Sequence, residues 1–179
     1  MTLINLHLGC GERSIPGFIH VDIRAFDNVD MVCQLNKLDT FKDNSVDLIY
    51  CSHALEHFKR HDCEGVLKEW YRVLKPGGLL RLAVPDFEAI VKIYQEYGDV
   101  ELLIGLLYGG QDYQYNYHHT VFDFVYLSKL LTKVGFTQIR RYNWKLTIHK
   151  DYDDYSQAYI PHMDKENGVL MSLNVECVK

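Results

Sequence analysis

Leu6-His7-Leu8-Gly9-Cys10-Gly11 runs an apolar strand into a Gly-x-Gly turn, and Val21-Asp22-Ile23 puts an acid eleven positions after Gly11. A strand that ends in such a turn, with a carboxylate at the tip of the next strand, suits a parallel α/β sheet holding an adenosine-bearing cofactor. The glycines let main chain approach a ligand, and the acid can accept hydrogen bonds from two ribose hydroxyls.

The rest of the chain follows this pattern. Ile4–Leu8 and Phe18–Ile23 read as the first two strands, Asp30–Cys33 as a short third, and Leu79–Val84 as a fifth. Val46–Cys51 is an apolar run interrupted only by Asp47, as expected of a strand buried on both faces. Helical spacing links Val66, Leu67, Trp70 and Val73, with Lys75-Pro76-Gly77-Gly78 as the stop. Phe87, Ile90, Val91 and Tyr94 make a second stripe behind an Asp86 N-cap; Leu127, Leu130, Leu131 and Val134 make a third between Asp123 and Gly135. Thr137–Tyr142 and Met171–Val178 read as late strands. Alternating strands and helices predict a mostly parallel α/β sheet. Cys10, Asp22, Gln34 and Ser52 each follow a strand end, so four segments deliver small or polar groups to one sheet edge.

Composition fits this picture. The 179 residues suit a single domain, 47% hydrophobic and 24% charged, with net charge -5 and no basic run. That disfavours a nucleic-acid partner. Cys10, Cys33, Cys51, Cys63 and Cys177 show no zinc or redox spacing, so reduced thiols in a cytoplasmic protein are expected. Neither a bilayer-crossing segment nor a secretory leader is expected.

LHLGCG (6–11), HVDI (20–23), DLIYCSHALEHF (47–58) and VLKPGGLLRLAVPD (73–86) occur in an order that resembles class I S-adenosylmethionine-dependent methyltransferases. The turn Pro16-Gly17-Phe18 and the segment 109–136 are similar to a small bacterial-type subgroup of them. The resemblance implies a Rossmann-like, mostly parallel seven-stranded sheet with an antiparallel last strand. It also implies S-adenosyl-L-methionine as cofactor and methyl transfer to a small molecule such as a sugar or metabolite hydroxyl. On it, Gly9, Cys10 and Gly11 lie against the methionine part of the cofactor, Asp22 takes the ribose diol and Ile23 packs on adenine. Gln34 and Leu35 stand where the family places an adenine contact, although Gln34 replaces the usual acid; its amide oxygen can still accept. Ser52 and His53 fall beside the sulfonium. His118 occupies the position of a subgroup histidine and is the candidate general base, with His57 and His53 as alternatives.

Two features depart from the family. Nine residues separate Leu8 from Phe18, too few for a regular helix, so the first crossover is expected to be a loop that leaves one sheet face uncovered. The segment 144–168, or a second copy in a homodimer, could cover it; 109–122 and 144–168 are expected to be substrate-side or interface insertions. The second is His53-x-x-Glu56-His57, an H-x-x-E-H match to inverted zinc peptidases. No third ligand is evident and the neighbouring strands go unexplained, so no metal is expected. Cys10 reads as a small residue where bulk is forbidden, and Asp151, Asp153 and Asp154 as a solvated loop. A nicotinamide enzyme would need a third glycine opening a helix, which Pro16 forbids. A cofactor-binding protein without turnover shares the same motifs.

Overall fold

The computed structural model describes residues 3–179, so expectations about the extreme amino terminus fall partly outside the described residues. The strands are β1 (Asn5–Leu8), β2 (Ile19–Asp22), β3 (Met31–Val32), β4 (Val46–Ser52), β5 (Leu74–Pro85), β6 (Thr137–Arg141), β7 (Tyr159–Ile160), β8 (Val169–Leu170) and β9 (Ser172–Val178). The helices are α1 (Cys63–Val73), α2 (Phe87–Tyr97), α3 (Ile104–Tyr108) and α4 (Phe124–Val134). Seven strands form one sheet in the order β3-β2-β1-β4-β5-β9-β6, with β9 antiparallel to both neighbours and the other pairings parallel. This is the expected α/β sheet with its antiparallel last strand. The chain winds outward from β1 to β3 and then crosses to β4 on the other side of β1, so strand order reverses beside β1.

The pleat sorts side chains into two unlike faces. Leu6, Leu8, Ile49, Cys51, Leu80, Leu82, Leu173 and Val175 point into an apolar layer closed by α1 and α4. α1 buries Val66, Leu67, Trp70 and Val73, as its spacing predicts. The Trp70 indole N–H donates to the Leu35 carbonyl at 2.8 Å, tying that helix to the segment after β3. Asp123 caps α4 by accepting from the Tyr126 N–H, and Asp86 caps α2 by accepting from Glu88. Burial of this layer is the main stabilising term of the fold.

The opposite face carries His7, His20, Tyr50, Arg81, Asn174 and Glu176. Residues 9–18 run as turns, so no crossover helix lies over it. The short crossover is fixed instead by His20, whose Nε2 accepts from the Ile15 N–H at 2.8 Å while its Nδ1 faces Asp30 at 3.1 Å. The cover comes from the same chain. The His149 ring lies on the fully buried Tyr50 ring at 3.9 Å between centroids, and the Tyr50 hydroxyl donates to Asp154. Asn174 donates to the Ser156 carbonyl at 2.8 Å. A second copy of the chain is not needed for this cover. Asp154, read as part of a solvated loop, is in fact buried, because it accepts from Tyr50 and caps the 3₁₀ turn Tyr155–Gln157 through Ser156 N–H.

Two further expectations need correction. α2 buries Ala89, Ile90 and Ile93 against Leu103 and Met171, while Phe87, Val91 and Tyr94 face solvent. The inner face is rotated from the expected stripe because Ala89 and Ile93, with Ile90, pack against Leu103 and Met171. Lys75-Pro76-Gly77-Gly78 does not lie between helix and strand: β5 already starts at Leu74, paired with Val46, and its register shifts before Leu79.

The polar face makes the fold sensitive to acid. Burial pushes His7 down to about 3 and His149 down to about 4, against an ordinary value near 6.5. His20 and Arg13 add repulsion at His7; at His149, Asp154 attracts the proton and Arg81 repels it. Both rings are neutral when folded, and the unfolded chain takes up their protons first as pH falls. Their stabilisation is complete above pH 6.5 and is lost as pH drops toward 4, with a slope of up to about 1.4 kcal/mol per pH unit per ring. Denaturant titrations at pH 7, 6 and 5 should show this slope, and His149→Gln should remove one ring's share of it. An unchanged slope in that variant would contradict the assignment.

Candidate functional site

A cleft of about 590 Å³ opens at the carboxyl ends of β1, β2 and β4, a volume suited to a small-molecule ligand. Gly9, Cys10, Gly11, Asp22, Ile23, Gln34, Leu35, Ser52, His53 and His57 all line it. Four separate strand ends therefore converge on one edge, as expected.

The glycine turn is built around Asp22. The Gly11 N–H donates to Asp22 Oδ2 at 2.8 Å, and the Arg24 N–H donates to Oδ1 at 2.9 Å. Each carboxylate oxygen keeps a second lone pair for a ligand hydroxyl. Asn28 holds the turn from outside, donating to the Gly11 and Arg13 carbonyls at 3.0 Å each. Asp22 makes no side-chain pair with Arg24 among the described residues. The Arg24 guanidinium instead lies over Phe26 at 4.5 Å and Tyr113 at 4.3 Å, fastening the loop 109–119 to the cleft rim. Burial, with Asp22 close by, pushes the Cys10 thiol up to about 12, so it is no nucleophile.

The two glycines do different work. Gly9 has φ +66°, and a Cβ there would stand 2.8 Å from the Ala54 Cβ, so its smallness serves packing against the segment after β4. Gly11 has φ +55° with open space around it at the cleft wall.

A histidine–carboxylate cluster stands at the other end of the cleft. His53 has φ +51°, a strained value for a residue with a side chain. Its Nε2 makes a hydrogen bond with Ser172 Oγ at 3.1 Å, and its Nδ1 lies 3.4 Å from Glu56 Oε1 without making one. Burial lowers it to about 3. His57 lines the cleft, its Nδ1 3.2 Å from the Tyr117 carbonyl, and burial lowers it to about 4. His118 is not on the cleft surface; the lining residue of that pair is His119. The His118 ring is turned inward, Nδ1 donating to the Leu106 carbonyl at 2.8 Å and Nε2 facing Glu56 Oε1 at 3.9 Å, with its ring edge-on to His57 at 4.8 Å. Of the three candidate bases, His53 and His57 are on the cleft lining and His118 stands behind them. Glu56 is fully buried, and burial raises it to about 8.

Sequence reading missed Arg24, Phe26 and Tyr113 on the rim, and Arg13 and Tyr155, whose guanidinium and ring stack at 5.3 Å. Asp154 and Tyr155 reach the cleft from 141 and 142 positions downstream of Arg13, a proximity that no local pattern encodes.

Known proteins are similar to parts of this chain and to its fold. The methyltransferase-domain family matches residues 15–82. An uncharacterised methyltransferase-like protein of Schizosaccharomyces pombe is 35% identical over 89 residues, which are 46% of this chain and 34% of the relative. The match thus spans about a third of that relative's length. Among solved structures, a SAM-dependent methyltransferase of Thermotoga maritima superposes with TM-score 0.63 at 18% identity, covering 98% of this chain and 82% of that one. One from Methanosarcina mazei gives 0.62 at 18% identity, covering 100% and 93%. At these identities the superpositions show the fold: it is that of class I methyltransferases.

The glycine pair gives a direct test. Gly9→Ala meets both backbone strain and the Ala54 contact and should lower the melting temperature by about 5–10 °C; Gly11→Ala meets strain alone and should cost about half as much. Thermal unfolding followed by circular dichroism reads the difference, and equal losses would contradict the packing role of Gly9.

Proposed function

We infer that this chain is a class I S-adenosylmethionine-dependent methyltransferase, a reading its fold and the family match over residues 15–82 support, and that it transfers the sulfonium methyl of that cofactor to a small-molecule acceptor. The observation that carries this is the Asp22 carboxylate, spanning the Gly11 and Arg24 N–H groups at the rim of the cleft with lone pairs to spare. Asp22 would hold the cofactor's ribose diol, Ile23 with Gln34 and Leu35 its adenine, and Gly9, Cys10 and Gly11 its methionine part, all of them cleft-lining residues. Ser52, His53 and His57 would then stand on the side of the transferred methyl.

The cofactor supplies an already activated methyl, so the protein's part is to hold an acceptor in line with the carbon–sulfur bond, exclude water and deal with the acceptor's proton. The cluster of His53, Glu56, His57 and His118 stands where that proton leaves, with His57 nearest the acceptor. A sugar or metabolite hydroxyl suits a cleft of this size rimmed by Tyr113 and Tyr155. A nicotinamide reading fails on geometry. Residues 9–18 are turns, and no helix amino terminus follows the glycines to receive a pyrophosphate.

Calorimetry with S-adenosylhomocysteine tests this reading. The wild-type chain should bind one equivalent, and Asp22→Asn should weaken binding about 10–100-fold through loss of charge-assisted hydrogen bonds. NAD should give no saturable heat. Binding unaffected by Asp22→Asn, or preference for NAD, would contradict it. Turnover across an acceptor panel separates an enzyme from a protein that merely holds the cofactor.

A further inference from the structure

We propose that Glu56, His57 and His118 form a binding site for a divalent transition-metal ion of the zinc class, set into the wall of the cleft beside the acceptor. One ligand atom from each of the three lies within 4.8 Å of the other two. The sequence offered only His53-x-x-Glu56-His57 and no further ligand. The fold supplies His118 from 61 positions beyond His57, because the His119 and Thr120 N–H groups donate to the Glu56 carbonyl at 2.8 and 3.2 Å and pull that loop onto the 3₁₀ turn Leu55–His57.

Glu56 gives the independent pointer. Its side chain is fully buried, and among the described residues neither Oε1 nor Oε2 has a hydrogen-bond partner. A buried carboxylate that accepts no hydrogen bond costs several kcal/mol, and the nearest imidazole nitrogens, 3.4 and 3.9 Å from Oε1, do not supply one. A divalent cation between Glu56 and the imidazoles removes that cost. The imidazoles are prepared for it: His118 donates its Nδ1–H to the Leu106 carbonyl, which leaves Nε2 as a lone pair facing Glu56. A metal-bound histidine is normally oriented in this way by a carbonyl on its other nitrogen. Two imidazoles and one carboxylate, with no thiolate, suit zinc and its neighbours better than calcium or magnesium. Bonds of about 2.0–2.1 Å bring tetrahedral ligands to roughly 3.4 Å apart, so small side-chain rotations complete the site. His53 Nδ1 stands 3.4 Å from Glu56 Oε1, beside the three ligands and without a hydrogen bond to them.

Because His57 lines the cleft, the ion has an open side toward the acceptor, where it would coordinate an acceptor oxygen and lower the pKa of that hydroxyl. This role rests on the methyl-transfer reading; the ion site itself does not.

The full chain, stripped with a chelator and dialysed, is titrated with Zn²⁺ by calorimetry and with Co²⁺ by visible absorption. One equivalent of each should bind, Co²⁺ giving a ligand-field band. Glu56→Gln and His118→Ala should each weaken binding at least about tenfold. His162→Ala, at an exposed histidine far along the sequence, should bind as wild type does. No saturable binding, or wild-type affinity in Glu56→Gln, overturns the proposal; that variant keeps the side-chain volume and so remains informative if His118→Ala misfolds. S-adenosylhomocysteine affinity is measured on the same samples. Zn²⁺ binding without nucleoside binding refutes the methyl-transfer reading and leaves the ion site standing, and the reverse refutes the ion site alone.

Discussion

The site depends on one carboxylate shared between two strand ends. Asp22 closes β2 and accepts from the main chain of Gly11 beyond β1, and from Arg24 beyond itself. A buried acid at this point is tolerated because both oxygens are satisfied by backbone donors. In return it fixes the glycine turn without a crossover helix to brace it. Gly9 then lies against Ala54, so the turn after β1 and the segment after β4 meet across the point where strand order reverses. Everything else in the cleft is positioned from that junction.

The short crossover has a second consequence. Without a helix over β1 and β2, the sheet face bearing His7, Tyr50 and Glu176 is covered by residues 142–172 of the same chain: Tyr50 donates to Asp154, Asn174 donates to the Ser156 carbonyl, and the His149 ring lies on Tyr50. Within the sheet, Arg81 and Arg140 both bind Glu176. Such contacts add less net stability than apolar packing but are strict about geometry. They bring Asp154 and Tyr155 to the cleft, so the segment that seals the sheet also shapes the acceptor side.

What could be read in the sequence follows from the range of the interactions involved. The strands were legible because Val46–Cys51 and Leu79–Val84 are largely buried and apolar, each broken by a single charged residue, Asp47 and Arg81. Cys10, Asp22, Gln34 and Ser52 were legible as one edge because each follows a strand in a sheet whose pairing is parallel. The inner face of α2 was not, since Phe87 and Tyr94 look like core residues and only the tertiary partner, Met171, decides for Ala89 and Ile93. Nor was the meeting of Glu56 with His118, or of Tyr50 with Asp154, because each joins segments some sixty to a hundred positions apart. The H-x-x-E-H pattern was visible at once, but its completing residue lies in a loop that local spacing cannot place.

The most direct test is a crystal structure of the chain soaked with S-adenosylhomocysteine. The ribose 2′ and 3′ hydroxyls should lie about 2.6–3.0 Å from the two Asp22 oxygens, with the sulfur directed at Ser52 and His57. A nucleoside bound elsewhere, or a cleft that excludes it at saturating concentration, would contradict the assignment.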